Sequence, residues 1–411
     1  MTILGSVATP THWEYERLDH VLARSRRVGE ATFTPLSVFL THGVVPRSDR
    51  AEENHNRLGE DLSKYLLVRP GDVVFNKLRT WQGGLGVADH HGIVSPAYFV
   101  CRPTGRAVPR FLHYLLRSKP YLDEFTRVSK WMPPSQFDIT WDQLRRVPVL
   151  LPPLEDQQAI ADFLDAETTQ IDTLLSMRDR QADLLKERWI AVVSGMLWDG
   201  STRRRQTRLK HLCGPPTSGN RDHSSFTYTA DGIPCLRGLN VRRGWIERKE
   251  LLRISARDHA RHLPTELKSG DIVVVRSGLA GSAAVVPFDL DGSNCVDLVV
   301  VRRSDRVLPR YLELVLNSKE TQEDVRRRST GALLSHFNAV DAADVLVPTR
   351  SISEQQRVVA ILDRAEDEIR RVAGMITGQI DLLRERRQAL ITAAVTGEID
   401  VSTASGRGVP A

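Results

Sequence analysis

From Leu164 onward the chain repeats a face in steps of four and three: Leu164, Thr168, Ile171, Leu175, Arg178, Ala182, Leu185, Trp189, Val192 and Met196. A second run begins at Leu362 and continues through Glu366, Ile369, Ala373, Ile376, Ile380, Leu383, Arg387, Leu390 and Ala394. That spacing lays apolar side chains along one stripe of an α-helix, and sustained over about four heptads it reads as a coiled-coil seam. Pro152-Pro153 and Pro348 stand just upstream of the two runs, Ser353-x-x-Gln356 reads as a capping box, and Gly397 supplies a stop. Helices of about 40 residues would be about 60 Å long. Two equivalent seams in one chain bury each other most simply, and a two-fold relation makes that pair antiparallel. Packing of each helix on its own domain alone is the competing reading. Gly374 and Gly378 cost about 1 kcal/mol each relative to Ala and weaken the second helix or allow close approach.

Outside the stripes the pattern shortens. Val68 to Phe75 and Leu267 to Val275 predict a turn followed by a strand, with Gly71-Asp72 and Gly270-Asp271 in the turns. Gly92 to Cys101 and Val296 to Val301 predict further strands. Phe111 to Leu116 and Tyr311 to Leu316 carry helical spacing after a proline. These matches belong to a duplication of nearly half the chain. Arg17-Leu18-Asp19-His20 aligns with Arg208-Leu209-Lys210-His211, Pro109-Arg110-Phe111-Leu112 with Pro309-Arg310-Tyr311-Leu312, and Ser118-Lys119 with Ser318-Lys319. Asp156-Gln157-Gln158 aligns with Glu354-Gln355-Gln356, and Leu184 to Arg188 with Leu382 to Arg386. The offset drifts from 191 to 200 in the globular parts but stays at 198 from Gln157 to Leu197. A constant offset fits an uninterrupted helix, and a drifting one fits surface loops of unequal length. A period this long marks duplicated domains, not a solenoid.

The expected fold class is therefore α+β: two duplicated mixed α/β domains, separated by two long helices that form an antiparallel coiled coil. The expected boundaries are 1–152 and 201–349 for the domains, 153–200 and 350–400 for the helices, and 401–411 for a disordered tail.

Composition narrows the function. The 411 residues hold 57 Lys and Arg against 51 Asp and Glu, a formal charge of +6, with Arg well ahead of Lys. Arg suits phosphate and guanine because its planar fork donates two parallel hydrogen bonds. A charge of this size permits nucleic-acid binding without requiring it. Cys101, Cys213, Cys235 and Cys295 form no C-x-x-C pair, which argues against a zinc site and for reduced thiols in a cytoplasmic protein. No run of about 18 apolar residues suggests a membrane span, and the start of the chain lacks a signal-like block. There is no P-loop, no G-x-G-x-x-G after a strand and no amino-methyltransferase signature. His259-x-x-His262 lacks a third ligand, and Glu247-Arg248-Lys249 lacks the partner carboxylate of a nuclease. No metal and no catalytic residue are expected.

Candidate DNA contacts lie in loops that combine cations, amides and glycines. In the first copy they are Lys77, Arg79, Thr80, Trp81 and Gln82, followed by Lys130, Trp131 and Gln136. In the second they are Arg242, Arg243, Arg276, Ser277, Thr330 and His336. Arg and Gln pair with guanine and adenine edges, while loop glycines bring backbone amides to phosphates. For Trp81, Trp131 and Trp245, core packing stands beside base stacking as a reading. For the helix–helix interface the candidates are Leu164, Ile171, Leu175, Leu185, Leu362, Ile369, Ile376 and Leu383.

Taken together, the Trp-led start at His12-Trp13-Glu14, the Gly-Asp strand, and Leu151-Pro152-Pro153-Leu154-Glu155-Asp156-Gln157-Gln158 opening a long helix resemble the specificity subunit of Type I restriction-modification systems. The pattern recurs at Val347-Pro348 and Ser353-Glu354-Gln355-Gln356 and covers nearly the whole chain. The resemblance implies that each globular part is a target-recognition domain reading half of a bipartite DNA site. It implies that the helices fix the gap and dock two modification subunits. S-adenosylmethionine and ATP would then belong to the modification and restriction (motor-nuclease) subunits, and this chain would carry no cofactor. Unlike loops on the two copies predict a non-palindromic target. Pro348-Thr349-Arg350 departs from Pro152-Pro153, so one elbow is expected to be looser. A coiled-coil scaffold that binds only proteins is the reading from a different class.

Overall fold

The computed structural model describes residues 10–40, 43–49, 61–132, 136–200, 205–220, 226–329 and 336–401. Thr330 and nearly all of the expected tail lie outside the described residues. The chain divides into two compact units, Met1–Asp179 with Gly378–Ala411, and Arg180–Thr377. The division cuts through both long helices, Leu154–Leu197 and Ile352–Thr396.

In the first unit a four-stranded antiparallel sheet runs in the order Leu22–Ser25, Tyr98–Pro103, Val73–Asn76, Leu85–Val87. Alternation along the central strand explains its unbroken apolar run. Val73 and Phe75 enter a core with the helix Pro109–Arg117, while Val74 enters a second core with Leu36, Val38 and Val44 of a neighbouring hairpin. A strand covered on both faces has no place for alternating polar residues. The terminal strand Glu14–Arg17 pairs with Pro148–Leu151, immediately before the first long helix.

The second unit repeats this plan on its own residues. Its sheet runs Thr217–Ser218, Leu298–Val301, Ile272–Val275, Ala283–Val285. Ile272 and Val274 face a core with the helix Pro309–Asn317, and Val273 and Val275 face the other side. Gln206–Arg208 pairs with Leu346–Pro348 ahead of the second long helix. The covering layer differs: the second unit builds it from Tyr228–Leu236, Leu252–Ile254 and Asn294–Cys295.

The α+β class holds, with two mixed units and two long helices. Within each unit opposite ends of the two helices meet, so the pairing is antiparallel. In the first unit Ile160 and Leu164 share a core with Ile391, Ala394 and Val395, and Arg387 Nε lies 3.0 Å from Asp172 Oδ1. In the second, Val193 and Leu197 share a core with Val358 and Leu362. Leu164, Ile171, Leu362 and Ile376 are buried, and Leu175, Leu185, Ile369 and Leu383 are half-buried. The polar members of the stripe find charged partners instead: Arg387 takes Asp172, and Glu366 takes Arg310 and Arg370. The second helix ends where Gly397 adopts φ +79°. Its capping box sits two residues earlier than the sequence suggested. Ser351, not Ser353, exchanges hydrogen bonds with Glu354, because the helix starts at Ile352. The Pro348 elbow is tied down, not loose: Arg350 donates to the Met196 carbonyl and pairs with Asp199.

Candidate nucleic-acid interface

The repeated motifs turn out to be the scaffold that holds the loops. Gly71 and Gly270 take φ of +87° and +88°, which only glycine adopts without strain, and each opens the turn into the central strand. The next residue closes it. Asp72, buried, accepts from the Arg69 amide at 2.9 Å and meets Arg102 Nε at 3.3 Å. Asp271 accepts from the Lys268 amide at 2.9 Å, the Arg303 amide at 3.0 Å and Arg302 at 2.7 Å. The glutamine opening each long helix is also duplicated atom for atom. Gln157 accepts from the Val108 amide at 2.8 Å and donates to the Pro152 carbonyl, and Gln355 accepts from the Leu308 amide at 2.8 Å and donates to the Arg350 carbonyl. Both amides are buried, so each unit is pinned to the start of its helix by groups that cannot turn to water.

The candidate contacts gather at the end of the central strand. In the first unit Lys77 follows the strand Val73–Asn76, and its carbonyl accepts from the Ile139 amide at 3.1 Å. The hairpin Lys130–Met132 with Gln136–Asp138 is thereby brought beside the Lys77–Gly84 loop. Trp81 and Trp131 both pack edgewise on Phe137, at centroid separations of 5.0 and 4.9 Å. Trp81 is half-buried and donates to the Leu78 carbonyl, so it braces the loop. Trp131 is 48% exposed, and Arg79, Gln82, Lys130 and Gln136 are exposed around it. Thr80 is corrected: its side chain is buried and its hydroxyl donates to the Asn76 carbonyl at 2.7 Å, so it forms the loop and presents nothing outward. Lys77 is half-buried, with its ammonium on the Pro96 carbonyl at 2.8 Å and against the Phe99 ring.

In the second unit Arg276 stands where Lys77 does, its carbonyl accepting from Phe337 at 2.9 Å. Its guanidinium lies 2.5 Å from Asp297 Oδ1, with the side chain only 18% exposed. Arg276, expected as a DNA contact, is therefore corrected: its charge is already neutralised inside the protein. Asp297, at φ +52°, is one of two described non-glycine residues in the left-handed region, and it also meets the Ser277 hydroxyl at 3.4 Å. Ser277 in turn contacts His336 Nδ1 at 2.8 Å, and His336 is exposed. Arg242 is half-buried. Arg243 turns away from this cluster: it donates to Gln322 at 3.0 Å and lines a cavity of about 120 Å³ with Trp189, Arg310 and Lys319. Trp245 is exposed.

Several members escaped the sequence reading. Arg24, Phe99 and Trp141 join Lys77 from distant parts of the chain, and Phe137 joins the two tryptophans. Arg24-Ser25-Arg26-Arg27 was a visible cationic run. Nothing local marks Asp297 or Phe99. Among the described residues no group of three or more His, Cys, Asp or Glu is arranged to hold a metal.

A duplicated α+β scaffold with buried motif residues and exposed, unlike loop clusters defines a class of protein whose two halves present different surfaces on one frame. No family model matches the chain. Among curated proteins it is 22% identical over 275 residues to the Type I restriction enzyme EcoBI specificity subunit of Escherichia coli, a match spanning 61% of this chain and 58% of that protein. It is 21% identical over 373 residues, 84% of this chain and 82% of the relative, to a Methanocaldococcus jannaschii protein provisionally named the type I restriction enzyme MjaX specificity subunit. Among solved structures it resembles a chain from work on complex assembly and conformational transition of the type I R-M system, at TM-score 0.73 and 18% identity, covering 96% of this chain and 100% of the other. The HsdS subunit from Thermoanaerobacter tengcongensis follows at TM-score 0.51 and 18% identity, covering 97% and 100%. The family resemblance read from the sequence is borne out: these relatives are Type I specificity subunits, and the fold is shared.

Proposed function

We propose that this chain is the DNA sequence-specificity subunit of a Type I restriction-modification complex. Each unit reads one half of a bipartite, non-palindromic site in double-stranded DNA through the cluster at the end of its central strand. The long helices set the gap and dock two adenine-methyltransferase subunits. Restriction subunits complete the assembly, S-adenosylmethionine and ATP belong to these partners, and the chain itself is a non-catalytic, cytoplasmic reader. Among the described residues no helix is long and apolar enough to cross a membrane.

The observation that carries the reading is the split between buried sameness and exposed difference. Gln157 and Gln355, and Asp72 and Asp271, make matched contacts, while Trp131, Phe137 and Lys77 on one unit answer to Asp297, Ser277 and His336 on the other. A protein selected only for stability has no reason to keep these buried pins while changing the loop ends. Docking of two like subunits is supported by apolar residues exposed at matched positions of the helices, Met177 with Met375 and Leu184 with Leu382.

The test is sequencing of methylated adenines in cells carrying the system. A two-part motif is expected. Trp131→Ala should alter one half-site only, and His336→Ala the other only. Deleting one heptad from each long helix should change the tolerated gap, because groove faces recur about every 10.5 bp. An unchanged gap refutes the spacing role. No salt-dependent DNA binding, with or without methyltransferase subunits, would favour a protein-only scaffold.

A further inference from the structure

We propose that Arg24 and Lys77, gathered about the Phe99 ring, form a phosphate-binding site in the first unit for the backbone of duplex DNA, without a counterpart in the second unit. This deepens the DNA-reading proposal and rests on it. The Arg24 guanidinium lies 4.8 Å from the Phe99 centroid and 5.4 Å from that of Trp141, and the Lys77 ammonium lies 4.9 Å from Phe99. The two rings are tilted together at 5.8 Å. The Arg24 side chain makes no hydrogen bond or ion pair among the described residues, so its donors are uncommitted. Lys77 uses one donor, on Pro96.

Two cations are therefore held half-buried beside one ring without a bonded carboxylate. Burial and then Arg26 pull the Arg24 pKa down, and burial and then Arg24 pull down that of Lys77, with Asp138 opposing in part. Both cations lie within about 5 Å of one ring centroid, so an anion that reaches the edge of that ring meets positive charge from each. A phosphate takes both, whereas a base edge takes a single fork. Rings also hold the guanidinium plane in advance, which lowers the ordering cost of binding.

Among the described residues, the matching positions of the second unit keep only the strand-end cation. Sheet register puts Pro216 opposite Arg24 and Val299 opposite Phe99, and the matched helix caps Thr140 and Asn338 put Ala339 opposite Trp141. The remaining cation, Arg276, is held by Asp297.

The experiment measures DNA binding by the full chain, alone and with its methyltransferase subunits, across a salt series on specific and non-specific duplexes. Arg24→Gln should lower the slope of log K against log salt by about 1 and weaken binding at 0.1 M salt roughly tenfold on both duplexes. The methylated motif should stay the same, and Arg24→Lys should retain the slope. Should Arg24→Gln melt early, Lys77→Gln reads the same site from another strand with the same expected loss. An unchanged slope in folded variants overturns the site while leaving the DNA-reading proposal standing. Relaxation of one base pair in the motif also overturns it, by making Arg24 a base reader. A wild-type chain that binds no DNA in either setting removes the parent proposal and this one together.

Discussion

At the end of the first unit's central strand Lys77 shares an aromatic ring with a second cation; at the same place in the second unit Arg276 meets a carboxylate. One surface is left with unsatisfied positive charge and a wall of aromatic side chains, and the other is closed into a polar chain of Asp297, Ser277 and His336. A few residues behind, the two units share their Gly-Asp turns, glutamine pins and sheet order. The contrast teaches that duplication keeps the buried polar pins and frees the exposed loop ends. Buried polar groups need every partner they have, whereas a solvated loop end carries no such constraint.

The sharpest way to break the likeness is at the turns. Asp271→Ala strands three donors and should cost about 3 kcal/mol, and Asp72→Ala, with one amide and a longer Arg102 contact, about 2 kcal/mol. Urea unfolding checks the order, and equal losses would contradict it. Next, Gln157→Ala and Gln355→Ala should each cost about 1–3 kcal/mol by leaving a buried amide unpaired, and the two losses should match.

Acid separates the units more gently. The half-buried His113 accepts from the Val87 amide at 3.4 Å, and the buried Glu313 in the second unit accepts from Val285 at 2.8 Å. Burial, then the cations Arg117, Arg110 and Arg387, hold His113 well below the ordinary imidazole value. Its neutral form therefore contributes stability above the unfolded value of about 6.5, which is lost as pH falls below it. Burial raises the Glu313 pKa, so acidification relieves that group. Hydrogen exchange at pH 7.5 and 5.5 should show Pro109–Arg117 opening faster at low pH, Pro309–Asn317 not, and His113→Gln abolishing the difference. The smallest effect is Trp131→Ala: losing one edge contact with Phe137 should loosen the hairpin by about 1 kcal/mol without touching the second unit.

The sequence by itself determined the duplication, the two long helices and their seam, and the Gly-Asp turns, since each is written in local spacing or in side chains with one conformational use. Even Gly397 at the helix end was legible, because φ +79° there calls for glycine. It did not reveal that Thr80 turns inward, that Arg276 is spoken for, or that Arg24 joins Lys77. Thr80 is turned by a carbonyl of its own loop, while Arg276 and Arg24 depend on residues that the sheet brings beside them from other strands, where charge and burial are set by neighbours that no local pattern encodes. Tertiary packing alone decided which cations are free.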